Sequence, residues 1–136
     1  MVTVCSRYSR SGIGATADRA ATNALEAAEE ALAAVRRLND EPSMMDEPAL
    51  EIVVALHVGT VVYGNIGAAG RLDFRVIGPA VNLVSRLETT AETLNTPIVL
   101  SDDFARACGR PLISLGQYPL RGLARPHELF APGAGT

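Results

Sequence analysis

A chain of 136 residues with 48% hydrophobic and 20% charged residues has the length and composition of one globular domain able to bury a core. Its net charge of −3 leaves no basic footprint for nucleic acid, and no uncharged apolar run approaches the roughly 20 residues that span a bilayer. The two cysteines, Cys5 and Cys108, lie far apart outside any metal-ligand spacing, and the N-terminus lacks the apolar core of a signal peptide, so a reducing cytoplasm is the expected setting.

Residues 1–15 show no period and are rich in Ser, Arg and Gly, which predicts a poorly ordered leader before a domain over residues 16–130 and a loose tail over residues 131–136. From Ala17 to Asn39 the pattern changes. Ala21, Leu25, Ala28, Leu32 and Val35 recur three or four apart among good helix formers, and Glu26, Glu29 and Glu30 precede Arg36 and Arg37, an order that complements the helix dipole. Residues 39–48, with two prolines and four acidic residues, read as a loop.

Residues 51–58 alternate Ile52, Val54, Leu56 and Val58 on one side with Val53, Ala55 and His57 on the other, so both faces are largely apolar, as in a central strand. Glycines 59, 64, 67 and 70 punctuate the next stretch, and residues 68–71 read as a turn leading into a strand over residues 72–77, which predicts a hairpin. Gly78 breaks that strand. Pro79 suits the first helical position, where a missing N–H costs nothing, and the helix it opens places Ala80, Leu83, Val84, Leu87 and Ala91 on one side with Asn82, Ser85, Arg86 and Thr89 roughly opposite. Residues 97–100 form a short strand, Ser101 caps a helix running to Cys108, Gly109 closes it, and residues 112–120 and 127–130 make the last strands. Strands interleaved with helices that cover one face predict an α+β sandwich.

Asn82 and Arg86 stand one turn apart. Such a pair is either a solvated helix face or an amide and a guanidinium offered to one ligand, and a guanidinium matches phosphate oxygens well. His57 alternates with apolar residues and reads as a satisfied core or interface histidine; His127, after a proline, has no partner motif. The glycines of residues 64–70 lack the spacing of a dinucleotide fingerprint or a P-loop.

The order Ala55-Leu-His-Val-Gly-Thr-Val-Val-Tyr-Gly-Asn-Ile-Gly67, then Arg71-Leu-Asp-Phe-Arg-Val-Ile-Gly78, then Val81-Asn-Leu-Val-Ser-Arg-Leu-Glu88 resembles the catalytic domain of class III adenylate and guanylate cyclases, and the fit continues from Ala20 to about Phe130. The resemblance implies a ferredoxin-like α+β sandwich of the nucleotide cyclase type, an antiparallel-rich sheet covered by helices and truncated at the N-terminus. It also implies a site in the cleft of a dimer, where ATP or GTP is converted to the 3′,5′-cyclic nucleotide and pyrophosphate. In that site Asn82 would orient the ribose and Arg86 would stabilise the α-phosphate. Arg121, in Leu-Arg-Gly, sits where the family often has a lysine near the terminal phosphates.

Two departures from the family pattern carry consequences. The family holds Mg2+ or Mn2+ through two carboxylates on strands that precede the long helix, yet the only acidic residue before Leu25 is Asp18, at a helix start where an acid is expected anyway. The family's base-selecting lysine from that region is also absent, because the first 40 residues contain no lysine. No metal ligand is therefore assigned to this chain; its partner is expected to be a second copy or a cyclase subunit, and only the latter can supply the carboxylates. Sheet edges left bare by missing strands are expected to promote association. The second departure is Arg75, which stands where the family has an Asp or Thr that selects the base. An arginine only donates hydrogen bonds, so it suits the O6 of guanine better than the amino group of adenine, or it pairs with Asp73 or a partner's carboxylate, or it faces solvent. The rival reading is a catalytically inactive cyclase-like dimerisation or regulatory module.

Overall fold

The computed structural model describes residues 17–59, 62–65 and 74–133. Three expectations lie outside them: the leader over residues 1–15, the turn over residues 68–71, and the side chains of Asp18 and Arg75. Ten elements follow in order: helix α1 (Ala17–Asn39), a 3-10 turn (Pro42–Met44), strands β1 (Val54–Leu56), β2 (Val62–Asn65) and β3 (Phe74–Ile77), helix α2 (Pro79–Thr93), strand β4 (Ile98–Ser101), helix α3 (Asp102–Ala107), and strands β5 (Leu112–Tyr118) and β6 (His127–Pro132).

The expected hairpin forms: β2 and β3 pair antiparallel, with Gly64 opposite Arg75. A four-stranded sheet has the order β1-β4-β6-β5, in which β1 and β4 are parallel and the other pairs antiparallel. β5 and β6 slip register between Ser114 and Gly116, a bulge that accommodates an extra residue in β5.

The alternation of residues 51–58 has its predicted effect on packing. Val54 and Leu56, with Ile52 and Val58 at the margin, join one core together with Ala21, Leu25 and Ala28 of α1, Ile98 and Leu100 of β4, and Phe104 of α3. Ala55 and Val53 face a second core built from Val84, Leu87 and Ala91 of α2, with Val99, Leu120 and Leu129. The helices thus cover both faces of the sheet, and the expectation of one covered face is corrected. Both faces of β1 and β4 are apolar, and each needs a helix to remove it from water. The strand itself is shorter than expected. It ends the described strand order instead of lying at its centre, and α1 and α2 packing across it account for the burial of both its faces. Each fully buried Leu or Val contributes about 1.5–3 kcal/mol relative to exposure.

Local chemistry sets the helix ends. α1 stops at Asn39, the first residue of the loop expected over residues 39–48, and its side-chain amide donates to Leu50 O at 2.9 Å while its Oδ1 accepts from Leu50 N–H at 2.8 Å, closing the loop. α2 ends in a Schellman motif: Asn95 adopts φ 51, its N–H reaches Glu92 O at 3.1 Å, and Thr96 N–H reaches Ala91 O at 3.0 Å. Ser101 caps α3 as expected, accepting the Phe104 N–H at 3.1 Å, and the helix closes at Ala107, one residue before the expected end. The Arg110 guanidinium grips the Glu29 carboxylate with two bonds of 2.8 and 3.0 Å and ties the loop after α3 to α1. At the C-terminus β6 runs to Pro132, so the first two residues of the expected tail belong to a strand.

Candidate functional site

The polar flank of α2 begins with its N-terminus. Gly78, at φ 145 and ψ 172, holds a backbone conformation that side chains rarely adopt, and Pro79 follows at the first helical position. The chain can thus turn sharply from β3 into the helix. With Ala80, Val84, Leu87 and Ala91 buried, the helix is fixed in rotation and Asn82 is exposed while Arg86 is half-buried. Hydrophobic burial on one side therefore aims the polar pair on the other.

Arg86 does not extend freely into solvent. Its guanidinium lies against the turn between β5 and β6, where Leu120 is anchored in the core and Leu123 N–H closes the turn on Leu120 O at 3.0 Å. Within that turn Gly122 adopts φ +83, and a Cβ built on it would run into Arg86 Nη1 and lie 3.2 Å from both Cζ and Nη2. Nη1 is fully buried and has no hydrogen-bond partner among the described residues. A buried charged donor without an acceptor is costly, on the order of a few kcal/mol, and most proteins avoid it. Arg121, the residue before Gly122, is exposed on the same turn. The turn thus carries one arginine and lies against the guanidinium of a second from a distant part of the chain, and that second one holds an unused, desolvated donor. This arrangement suits an anion, and a planar guanidinium suits a phosphate in particular.

The remaining candidates fall around this flank. Arg75 lies on β3, three positions before Gly78. His57, buried at 4% exposure, places Nδ1 2.7 Å from Ser101 Oγ. Nδ1 and the Ser101 hydroxyl share this bond in either ring tautomer, and Ser101 also accepts from Phe104 N–H, so this histidine is a satisfied core residue. The sequence leaves the identity of its partner open. His57 and His127 also line an open groove of about 400 Å³ with Gly59, Pro79, Leu83 and Leu123, beside the Arg86 flank.

Burial lowers the His57 pKa below 6.5; Asp103 opposes the shift and His127 adds to it. The unfolded chain then binds a proton before the folded one does. Stability from this group is complete above 6.5 and is lost as pH falls toward the lowered folded value. Urea unfolding between about pH 5 and pH 8 is expected to show this loss on the acid side, and His57→Asn is expected to flatten it.

Among the described residues no group of three His, Cys, Asp or Glu side chains converges to hold a metal ion. Also among the described residues, no helix is long and apolar enough to cross a membrane.

Comparison with known proteins follows the same lines. The family model for the adenylate and guanylate cyclase catalytic domain matches residues 3–122. An adenylate cyclase of Anabaena cylindrica is 34% identical over 82 residues, covering 57% of this chain and 16% of that protein. An uncharacterized protein of Mycobacterium tuberculosis is 30% identical over 125 residues, covering 89% of this chain and 22% of its own length. The chain thus spans about a fifth of these curated relatives. Among solved structures, the adenylyl cyclase CyaB from P. aeruginosa superposes with a TM-score of 0.75 at 24% identity, over 88% of this chain and 62% of that one, a likeness of fold. The guanylyl cyclase Cya2 gives a TM-score of 0.66 at 25% identity, over 83% of this chain and 57% of that one. With this match over most of its length, and with a mixed sheet covered by helices as in those structures, the chain belongs to the adenylate and guanylate cyclase catalytic domain family.

Proposed function

We propose that this chain is the arginine-bearing half of a composite nucleotide cyclase site that converts ATP or GTP to the 3′,5′-cyclic nucleotide. In the reaction the ribose 3′-oxygen attacks the α-phosphorus, its proton leaves to solvent, and the bond to the β-phosphate breaks to release pyrophosphate. Asn82 orients the ribose. Arg86 takes up the negative charge that builds on the α-phosphate oxygens, Arg121 is assigned to the terminal phosphates, and Arg75 is assigned to the base, where an arginine's donors favour guanine. The observation that carries this reading is the buried Nη1 of Arg86, without a partner among the described residues, against the turn that carries Arg121. It is a donor kept out of water for a ligand oxygen.

Family members use Mg2+ or Mn2+, which supplies Lewis-acid stabilisation of the phosphates when bound. The described residues hold no cluster for it. The carboxylates are assigned to a different cyclase subunit that carries them, paired with this chain as cyclase domains pair. The setting proposed is cytoplasmic cyclic-nucleotide signalling.

The purified chain with ATP or GTP and Mn2+ is expected to release no cyclic nucleotide. When mixed with a cyclase subunit that keeps its metal carboxylates but has its own helix arginine replaced by alanine, it is expected to restore turnover. Turnover by the lone chain would overturn the division of labour. Association without any turnover would instead favour the second reading, a catalytically inactive dimerisation or regulatory module.

A further inference from the structure

We propose that Gly122 is a positioning residue for Arg86, acting by the absence of a side chain. The inference rests on the phosphate role given to Arg86 above and adds the element that sets its geometry. Arginine has a long, flexible stem, and α2 alone fixes only where that stem begins. Among the described residues no acceptor holds Nη1 in place. What confines the guanidinium is the turn beneath it. Leu120 roots the turn in the α2-side core, the Leu123 to Leu120 bond closes it, and Gly122 brings bare backbone against Nη1, Cζ and Nη2 together. Any Cβ at this position occupies the space that the guanidinium fills. A side chain there moves the charged group away from the turn, and with it the point at which phosphate charge is met.

Gly122 also has a second constraint, its φ of +83, so an ordinary substitution strains the turn as well as displacing Arg86. Asparagine separates the two effects. It tolerates positive φ better than other side-chain residues, yet it adds the same Cβ. Gly122→Asn therefore strains the backbone less than other substitutions do while it removes the space.

The test is a double-mutant cycle of Gly122→Asn and Arg86→Ala, measured in this chain paired with the carboxylate-bearing subunit described above. Gly122→Asn is expected to lower kcat on the order of a hundredfold, the scale of a 1 Å misplacement of a catalytic group, while KM changes little. In the Arg86→Ala background the same substitution is expected to have no further effect. Equal losses in both backgrounds would mean that the glycine serves the fold, and an unchanged kcat in the single variant would also overturn the proposal. A second measurement needs no turnover: in the lone chain, the Arg86 Nε–Hε NMR resonance is expected to shift in Gly122→Asn. An unshifted resonance in a folded variant refutes the positioning role. If Arg86→Ala leaves paired activity intact while Gly122→Asn still shifts the resonance, the phosphate role of Arg86 fails and the contact with Gly122 stands.

Discussion

Arg86→Ala is expected to lower kcat of the paired enzyme by about 10²–10³, equivalent to 3–4 kcal/mol, the size of effect produced by removing one preorganised donor from a developing charge. The folded chain should not suffer in proportion. Nη1 is buried without a partner among the described residues, so truncation removes a desolvated charged donor that contributes nothing to the unliganded fold. The thermal midpoint is therefore expected to hold or rise, a pattern common where a site is kept at the expense of stability. Arg86→Lys should recover little of the activity, because an ammonium cannot reproduce the planar fork of donors. Steady-state rates and thermal unfolding on the same three proteins check all of this. A parallel fall in both quantities would reduce Arg86 to a structural residue.

The largest loss of stability is expected on the other face of the sheet. Phe104 is the largest fully buried side chain of the described residues, and it packs in the core shared by α1, β1, β4 and α3. Phe104→Ala should destabilise the chain by about 3–5 kcal/mol, since it loses the transfer free energy of the ring and leaves a cavity that rigid neighbours only partly fill. Domains of this kind have about 5–15 kcal/mol in total, so the variant lies near the limit of folding. Urea unfolding measures the difference directly. Arg106→Ala on the exposed side of the same helix is the matched control. Arg106 pairs with Asp102 and Asp103 in open solvent, where ion pairs contribute little. A comparable loss there would show that the helix, and not the buried ring, is the source of the effect.

Much of this protein is encoded within single turns and strands. The rotation of α2 follows from Ala80, Val84, Leu87 and Ala91, its start from Gly78-Pro79, and the two-sided burial of β1 from the alternation around Val54, Ala55 and Leu56. The Ser101 cap is equally local, because its hydroxyl reaches an N–H only three residues away. Such features depend on bond geometry and on the periods of 3.6 and 2, so they can be read one segment at a time. The placing of helices on both faces could not be read in that way, since it depends on which strands pair and in what order. The same holds for the partners of His57, Arg86 and Arg110. Ser101 lies 44 residues from His57 and Glu29 lies 81 residues from Arg110, while Gly122 meets Arg86 across the α2-side core. Asn82 and Arg86 were legible as a pair because one helical turn joins them. Only the packing of the sheet against α2 brings a bare stretch of backbone under one member of that pair and buries its Nη1.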